Sequence, residues 1–270
     1  DREDFGTGMG TKLANAPVYY TVAQVQFNPI LNLDRFVPEI QARMRELGFP
    51  DYRHDMVQRI SIPGIGVENA QLAAPAQSRH LFGDMSGREL FLLEASTFSF
   101  QTTSYDTFDA FSEVLMQGVE LVHRLLGLAF IERIGLRYLD AVFPMNDRET
   151  LADYLVPQVL GHSLSDGGQL LHSLSETATS TANGQLVARV FIRQGEIGLP
   201  MDLSAMAPVI DARFLSREAG LHAILDTDAS RTGREAFNLE RISLHLTALH
   251  DDISRAFAMT VTPHALTAWA

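Results

Sequence analysis

The chain has 270 residues, 46% hydrophobic and 20% charged, enough to bury a sizeable core in one large domain or two small ones. A formal net charge of −12, from 33 acidic and 21 basic residues, excludes general affinity for nucleic acid or an anionic membrane, since both need a basic footprint. There is no cysteine, which excludes disulfides, a thiol nucleophile and cysteine metal ligands and suits a reducing cytoplasm.

No apolar run has the length of a membrane span. Residues 1–12 are polar and glycine-bearing and read as a disordered leader or appended residues, with a native start at Met9. Val18–Phe27 alternates and is rich in Val and Tyr, a first strand. Asp34 is placed to cap a helix with Phe36, Ile40 and Met44 on one face. Tyr52–Ile62 reads as a strand closed by Pro63-Gly64, and Glu68–Arg79 as a loop or weak helix. His80–Asp84 and Arg88–Thr103 form a hairpin about Met85-Ser86-Gly87. Asp106 and Asp109 open a helix to Leu126, with Phe108, Phe111, Leu115, Val122 and Leu125 as its stripe.

Ala129–Phe143 is the longest run that reads only as a strand. One face carries Phe130, Ile134, Leu136, Tyr138 and Val142. The other carries Ile131, Arg133, Gly135, Arg137, Leu139 and Phe143. Fully extended it would run roughly 50 Å, so a bend is expected, with Gly135 as its natural place.

Arg148–Leu160 reads as a short helix and 161–168 as a polar loop. Ala182-Asn183-Gly184 joins two strand-like runs, Leu170–Thr181 and Gln185–Arg193, the strongest local hairpin signal in the chain. Val209–Leu215 and His222–Thr227 read as strands, followed by a polar loop from Asp226 to Glu235. Asn238 caps a long helix striped by Leu239, Ile242, Leu246, Leu249, Ile253 and Phe257. Thr262-Pro263 starts a last short helix that holds Trp269.

This order predicts an α+β fold. Strand, helix, strands, helix, strand is the order of a ferredoxin-like unit, an antiparallel sheet with helices on one face. Two such units are expected, residues 13–143 and 144–270, sharing one continuous sheet in one version.

Five residues carry candidate chemistry. Arg133 and Arg137 share a strand face and can hold a carboxylate or phosphate with their guanidinium forks. The alternative is pairing with acids on neighbouring strands, such as Glu94. Asp226 and Asp228, at i and i+2, are a candidate pair for a hard cation such as magnesium, or a solvated strand end. His250, beside Asp251 and Asp252, is a weak candidate acid or base with Asp228, its pKa raised by the two carboxylates. His245 lies about 140° from it around the helix, poor geometry for a shared metal. Two hydroxyl-rich runs, Ser96–Ser104 and Ser173–Thr181, read as a wet sheet face or a polar binding face. The dinucleotide and phosphate-loop glycine patterns, His-Glu-x-x-His and Gly-x-Ser-x-Gly are absent, and no cofactor is expected.

Several short phrases stand out by their order along the chain. They are Leu13-Ala14-Asn15-Ala16-Pro17, Ile131-Glu132-Arg133-Ile134-Gly135-Leu136-Arg137-Tyr138, Ile224-Leu225-Asp226-Thr227-Asp228, Leu249-His250 with Ile253 and Phe257, Val261-Thr262 and Trp269. In these the chain resembles a sporadically distributed, functionally uncharacterised bacterial protein family. The resemblance implies one family unit from about Leu13 to Trp269 acting in the bacterial cytoplasm. It implies no substrate and no catalytic residue.

The sequence therefore favours a non-catalytic binding or protein-interaction module, with a protein partner or homodimer. The alternatives are an enzyme acting on an anionic small molecule, with Arg133 and Arg137 for binding, or an RNA-binding protein on tandem ferredoxin-like units.

Overall fold

The computed structural model describes residues 14–57, 77–162, 170–204, 208–215 and 220–270. Nine strands lie among them: β1 (Val18–Phe27), β2 (Asp51–Val57), β3 (Gln77–Gly83), β4 (Glu89–Leu93), β5 (Thr97–Thr102), β6 (Phe130–Val142), β7 (His172–Ser180), β8 (Gln185–Gly195) and β9 (Gly220–Ala236). They form one sheet in the order β2-β3-β4-β5-β1-β6-β9-β8-β7. Every neighbouring pair is antiparallel.

Three helices, α1 (Val37–Glu46), α2 (Phe108–Leu126) and a long C-terminal one (Leu239–Thr260), cover one face. Their stripes meet Val25, Phe91, Phe100, Ile134, Leu136 and Ala229 in a single main core that draws on both halves of the chain. Thr107 starts α2 by accepting a hydrogen bond from Ala110 N, and Gly127, at φ +63°, ends it in the left-handed region. Gly118 sits in mid-helix, where a Cβ would stand 2.6 Å from Phe91 Cε1 and 2.9 Å from Phe98 Cε1. Helix α2 thus approaches the sheet as closely as a side-chain hydrogen permits. We expect Gly118→Ala to destabilise by about 1–3 kcal/mol in urea denaturation, overpacking outweighing the roughly 1 kcal/mol gained in helix propensity. A more stable variant would show that the aromatic rings can yield.

The upper part of the opposite face is covered by the chain between β8 and β9. There α4 (Met201–Ser204), with α5 (Ala212–Leu215) and the residues around them, lies over Tyr19, Tyr20, Leu139, Ala141 and Ile224, using Ile197 and Phe214. It is tied down by Tyr19 Oη to Gly198 O at 2.9 Å, Val209 N to Gly87 O at 2.8 Å and Arg88 Nη2 to Asp211 at 2.7 Å. The rest of that face carries partly exposed polar side chains, including Gln24, Gln26, Arg133, Asp228 and Ser230. A smaller core under α3 (Leu151–Tyr154) holds Trp269 of the terminal helix Pro263–Trp269. No described helix is long and apolar enough to cross a membrane.

The α+β class and the single continuous sheet stand. Several elements differ from expectation. The run 88–103 folds back on itself as β4 and β5, through Glu94 N to Thr97 O at 2.9 Å. The chain from Asp226 to Glu235 is not a loop: β9 runs 17 residues, because β6 offers partners as far as Phe130↔Ala236. Residues 212–215 are a helical turn rather than strand. Asp34 lies in a 3-10 turn, so it caps nothing, and Thr107 replaces Asp106 as the cap of α2. Pro157 limits the helix expected over 148–160 to Leu151–Tyr154 plus one 3-10 turn. The irregularity in β6 falls at Glu132, where the register shifts against both neighbours, and not at Gly135. The shift turns Ile131 into the main core, away from Arg133. The expected turn at Pro63-Gly64, the end of the second strand and residues 1–12 lie outside the described residues.

Candidate functional site

Alternation on β6 and β9 sorts the candidate residues by face. Ile134, Leu136 and Tyr138 enter the core beneath the helices, so Arg133, Gly135 and Arg137 point the other way. On β9, Leu225 and Ala229 enter cores under the helices, leaving Asp226, Asp228 and Ser230 on the opposite face. The register sets Arg137 against Asp228, Gly135 against Ser230 and Arg133 against Thr232. Arg133, Arg137, Asp226 and Asp228 thus come together on one patch.

Arg137 is committed. Its Nε and Nη2 donate to the two oxygens of Asp226, each at 2.7 Å, and its Nη1 donates to Asp202 of α4 at 2.6 Å. The side chain of Asp226 is 2% exposed and that of Arg137 13%. Burial works against the Arg137 charge, but the bonds from Asp226 and Asp202 hold it more firmly than in water. Arg189 of β8 reinforces the group, 3.6 Å from Asp226 and 2.5 Å from Glu176 of β7. The expected alternative of acidic pairing therefore holds for Arg137, but with Asp226. Glu94 instead pairs with Arg79 at 2.5 Å.

Arg133 is different. Its guanidinium lies over Gly135, with Nη1 2.7 Å from where a Cβ would stand. The bare glycine makes room for the arginine to fold back along the strand toward Arg137. Gln24 and Ser230 flank that glycine across the two neighbouring strands. Among the described residues Arg133 has no hydrogen-bond or ion-pair partner. Asp228 likewise lacks one. Burial raises its pKa, and Arg133, Arg137 and Arg189 pull it back only in part.

The metal reading of Asp226 and Asp228 loses its first member, because Arg137 engages both oxygens of Asp226. Among the described residues no group of three or more His, Asp or Glu is placed to hold a metal ion.

His250 lies on the other side of the sheet. Its ring stacks on Phe108 with centroids 4.0 Å apart, Nδ1 is 3.3 Å from Tyr138 Oη and Nε2 is 3.4 Å from Ser254 Oγ. Its pKa is lowered, not raised as expected, because burial outweighs Asp251 and Asp109. Asp252 turns inward instead and holds Thr181 and Asn183 at the Asn-Gly turn. Two residues beyond Tyr138 on the same face, buried Asp140 has its carboxyl pushed up to about 7 by loss of hydration.

Sequence reasoning missed Arg189, Glu176 and Asp202. The Asn-Gly turn sets Arg189 opposite Glu176, and the separate pairing of β8 with β9 sets it opposite Asp226. Asp202 had no such signal, since it arrives from a connection that crosses the sheet. Comparison with known proteins adds no assignment: no family model matches the chain, and no curated protein matches it.

Proposed function

We propose that this chain is a non-catalytic binding module that takes a ligand's anionic group at Arg133, on the face of the sheet opposite α1 and α2. The observation that carries this reading is the difference between Arg133 and its neighbours. Arg137 and Arg189 are spent on acids, while Arg133 lies over Gly135 with no acidic partner among the described residues. A guanidinium that lies over a bare glycine with its fork uncommitted is free to take a carboxylate or phosphate. The enzyme reading has less support, because His250 lies on the opposite face from Arg133 and Asp228. The RNA reading also has less, since Asp226, Asp228, Asp202 and Glu176 offset the three arginines.

Calorimetric titration with small carboxylates and inorganic phosphate tests the reading. At least one probe is expected to bind, at least tenfold more weakly to Arg133→Ala. Equal binding by both proteins would overturn it.

The sheet edge at β7 supports a second reading, pairing with another copy of the chain. Its residues are all exposed or half-exposed, and Leu174 and Phe191, opposite in register, are 53% and 37% exposed. Ala178→Pro, which removes one N–H that points away from β8, is expected to convert a dimer to monomer in light scattering. A monomeric wild type would rule this out.

We also propose that residues 13–143 are a ferredoxin-like unit and that the chain belongs to the bacterial family it resembles, acting in the cytoplasm. The order β4-β5-β1-β6, with α1 and α2 on one face, supports the first point, with β2 and β3 as an added edge.

A further inference from the structure

Among the described residues the patch holds two uncommitted charges of opposite sign. Arg133 and Asp228 sense each other electrostatically yet do not come within ion-pair distance. The strands explain the separation. Four residues along β6 separate the level of Arg133 from that of Arg137 and Asp228. Folding over Gly135 brings the guanidinium about half of that way. The remaining offset is two residues, roughly 7 Å along the strands, and with roughly 4.8 Å between neighbouring strands the two groups stand about 8.5 Å apart.

Neither charge closes the gap on its own. Asp228 is ringed by arginines, but Arg137 and Arg189 are turned to Asp226, with Asp202 and Glu176 as their other partners. A half-buried carboxylate without a bonding partner is costly, and so is an arginine pinned without one. Gln24 and Ser230 border the gap, with donors and acceptors for a polar guest.

We propose that the ligand is a small zwitterion of amino-acid size, its carboxylate on the Arg133 fork and its ammonium on Asp228. This rests on the binding reading above and names its ligand class. Two hydrogen bonds of about 2.9 Å, one at each end, leave roughly 2.7 Å between the guest's own nitrogen and oxygen, room for a spacer of one or two carbons. The charges of such a guest complete both halves of the split pair. A simple anion would satisfy Arg133 alone and be repelled by ionised Asp228.

Titration calorimetry with glycine, β-alanine, acetate and methylammonium, on wild type, Arg133→Ala and Asp228→Asn, tests this. Matched urea midpoints confirm that the variants are folded. One of the two zwitterions is expected to bind wild type at least tenfold tighter than acetate or methylammonium. Asp228→Asn should reduce that advantage to nothing. Zwitterion affinity should also fall as pH drops through the raised pKa of Asp228, since the ammonium then loses its carboxylate. Arg133, Arg137 and Arg189 keep their charge throughout. If acetate binds as tightly, and more tightly at low pH, the site takes simple anions and the zwitterion is wrong while the binding reading stands. If no probe shows dependence on Arg133, both fail.

Discussion

Arg137→Ala is expected to destabilise the protein by about 3–5 kcal/mol, the range for removing one partner of a buried ion pair. The side chain left behind is the reason. Asp226, 2% exposed, would be left with Arg189 at 3.6 Å as its remaining ion-pair partner among the described residues. The double variant Arg137→Met with Asp226→Leu should recover most of the loss, because buried pairs of this kind are often replaceable by apolar side chains. Urea denaturation of the three variants reads this directly. A loss below about 1 kcal/mol for Arg137→Ala would mean that the pair behaves like a surface salt bridge.

Asp140 is the second large effect, and its sign is set by linkage. The carboxyl titrates at about 7 in the folded chain against 3.8 for an ordinary aspartate. Between those values the folded state carries a proton that the unfolded chain has lost. Stability is therefore full below about pH 4 and lost as pH rises toward 7, by an amount on the order of 4 kcal/mol at pH 8. His250 acts in the other sense, since its lowered pKa weakens the fold as pH falls. Comparing wild type with Asp140→Asn at each pH separates the two. The variant should be distinctly more stable than wild type at pH 8 and close to it at pH 4.5. A difference independent of pH would show that Asp140 stays ionised in the fold.

Much of the fold was legible because its elements carry undiluted periodicity. The central strand β6, helix α2, the Asn-Gly hairpin and the stripe from Ile242 to Ile253 all stand where alternation or 3.6-residue spacing puts them. The failures have a common cause in residues chosen by partners rather than by local pattern. Thr232 and Arg234 look like loop because they are exposed, yet β6 pairs at Thr232 and again at Glu235 beyond a register shift. Glu94 reads as strand interior, yet it sits at the turn between β4 and β5.

The patch was half legible. Spacing placed Arg133 with Arg137, and Asp226 with Asp228, on common faces. Which acid met which arginine depended on a register between strands some ninety residues apart in the chain, 89 for Arg137 and Asp226. Alternation places Asp140 on the apolar face between Tyr138 and Val142, but nothing in the sequence shows that this end of the face is sealed from water.

The central claim is that Arg133 is receptive while Arg137 is structural. The most direct measurement is a side-chain NMR titration that follows the arginine Nε–H resonances as glycine or β-alanine is added. The Arg133 resonance, assigned by its absence in Arg133→Lys, should move and saturate, and that of Arg137 should stay in place. Movement at Arg137, or saturable binding that leaves Arg133 unchanged, would contradict this reading of the site.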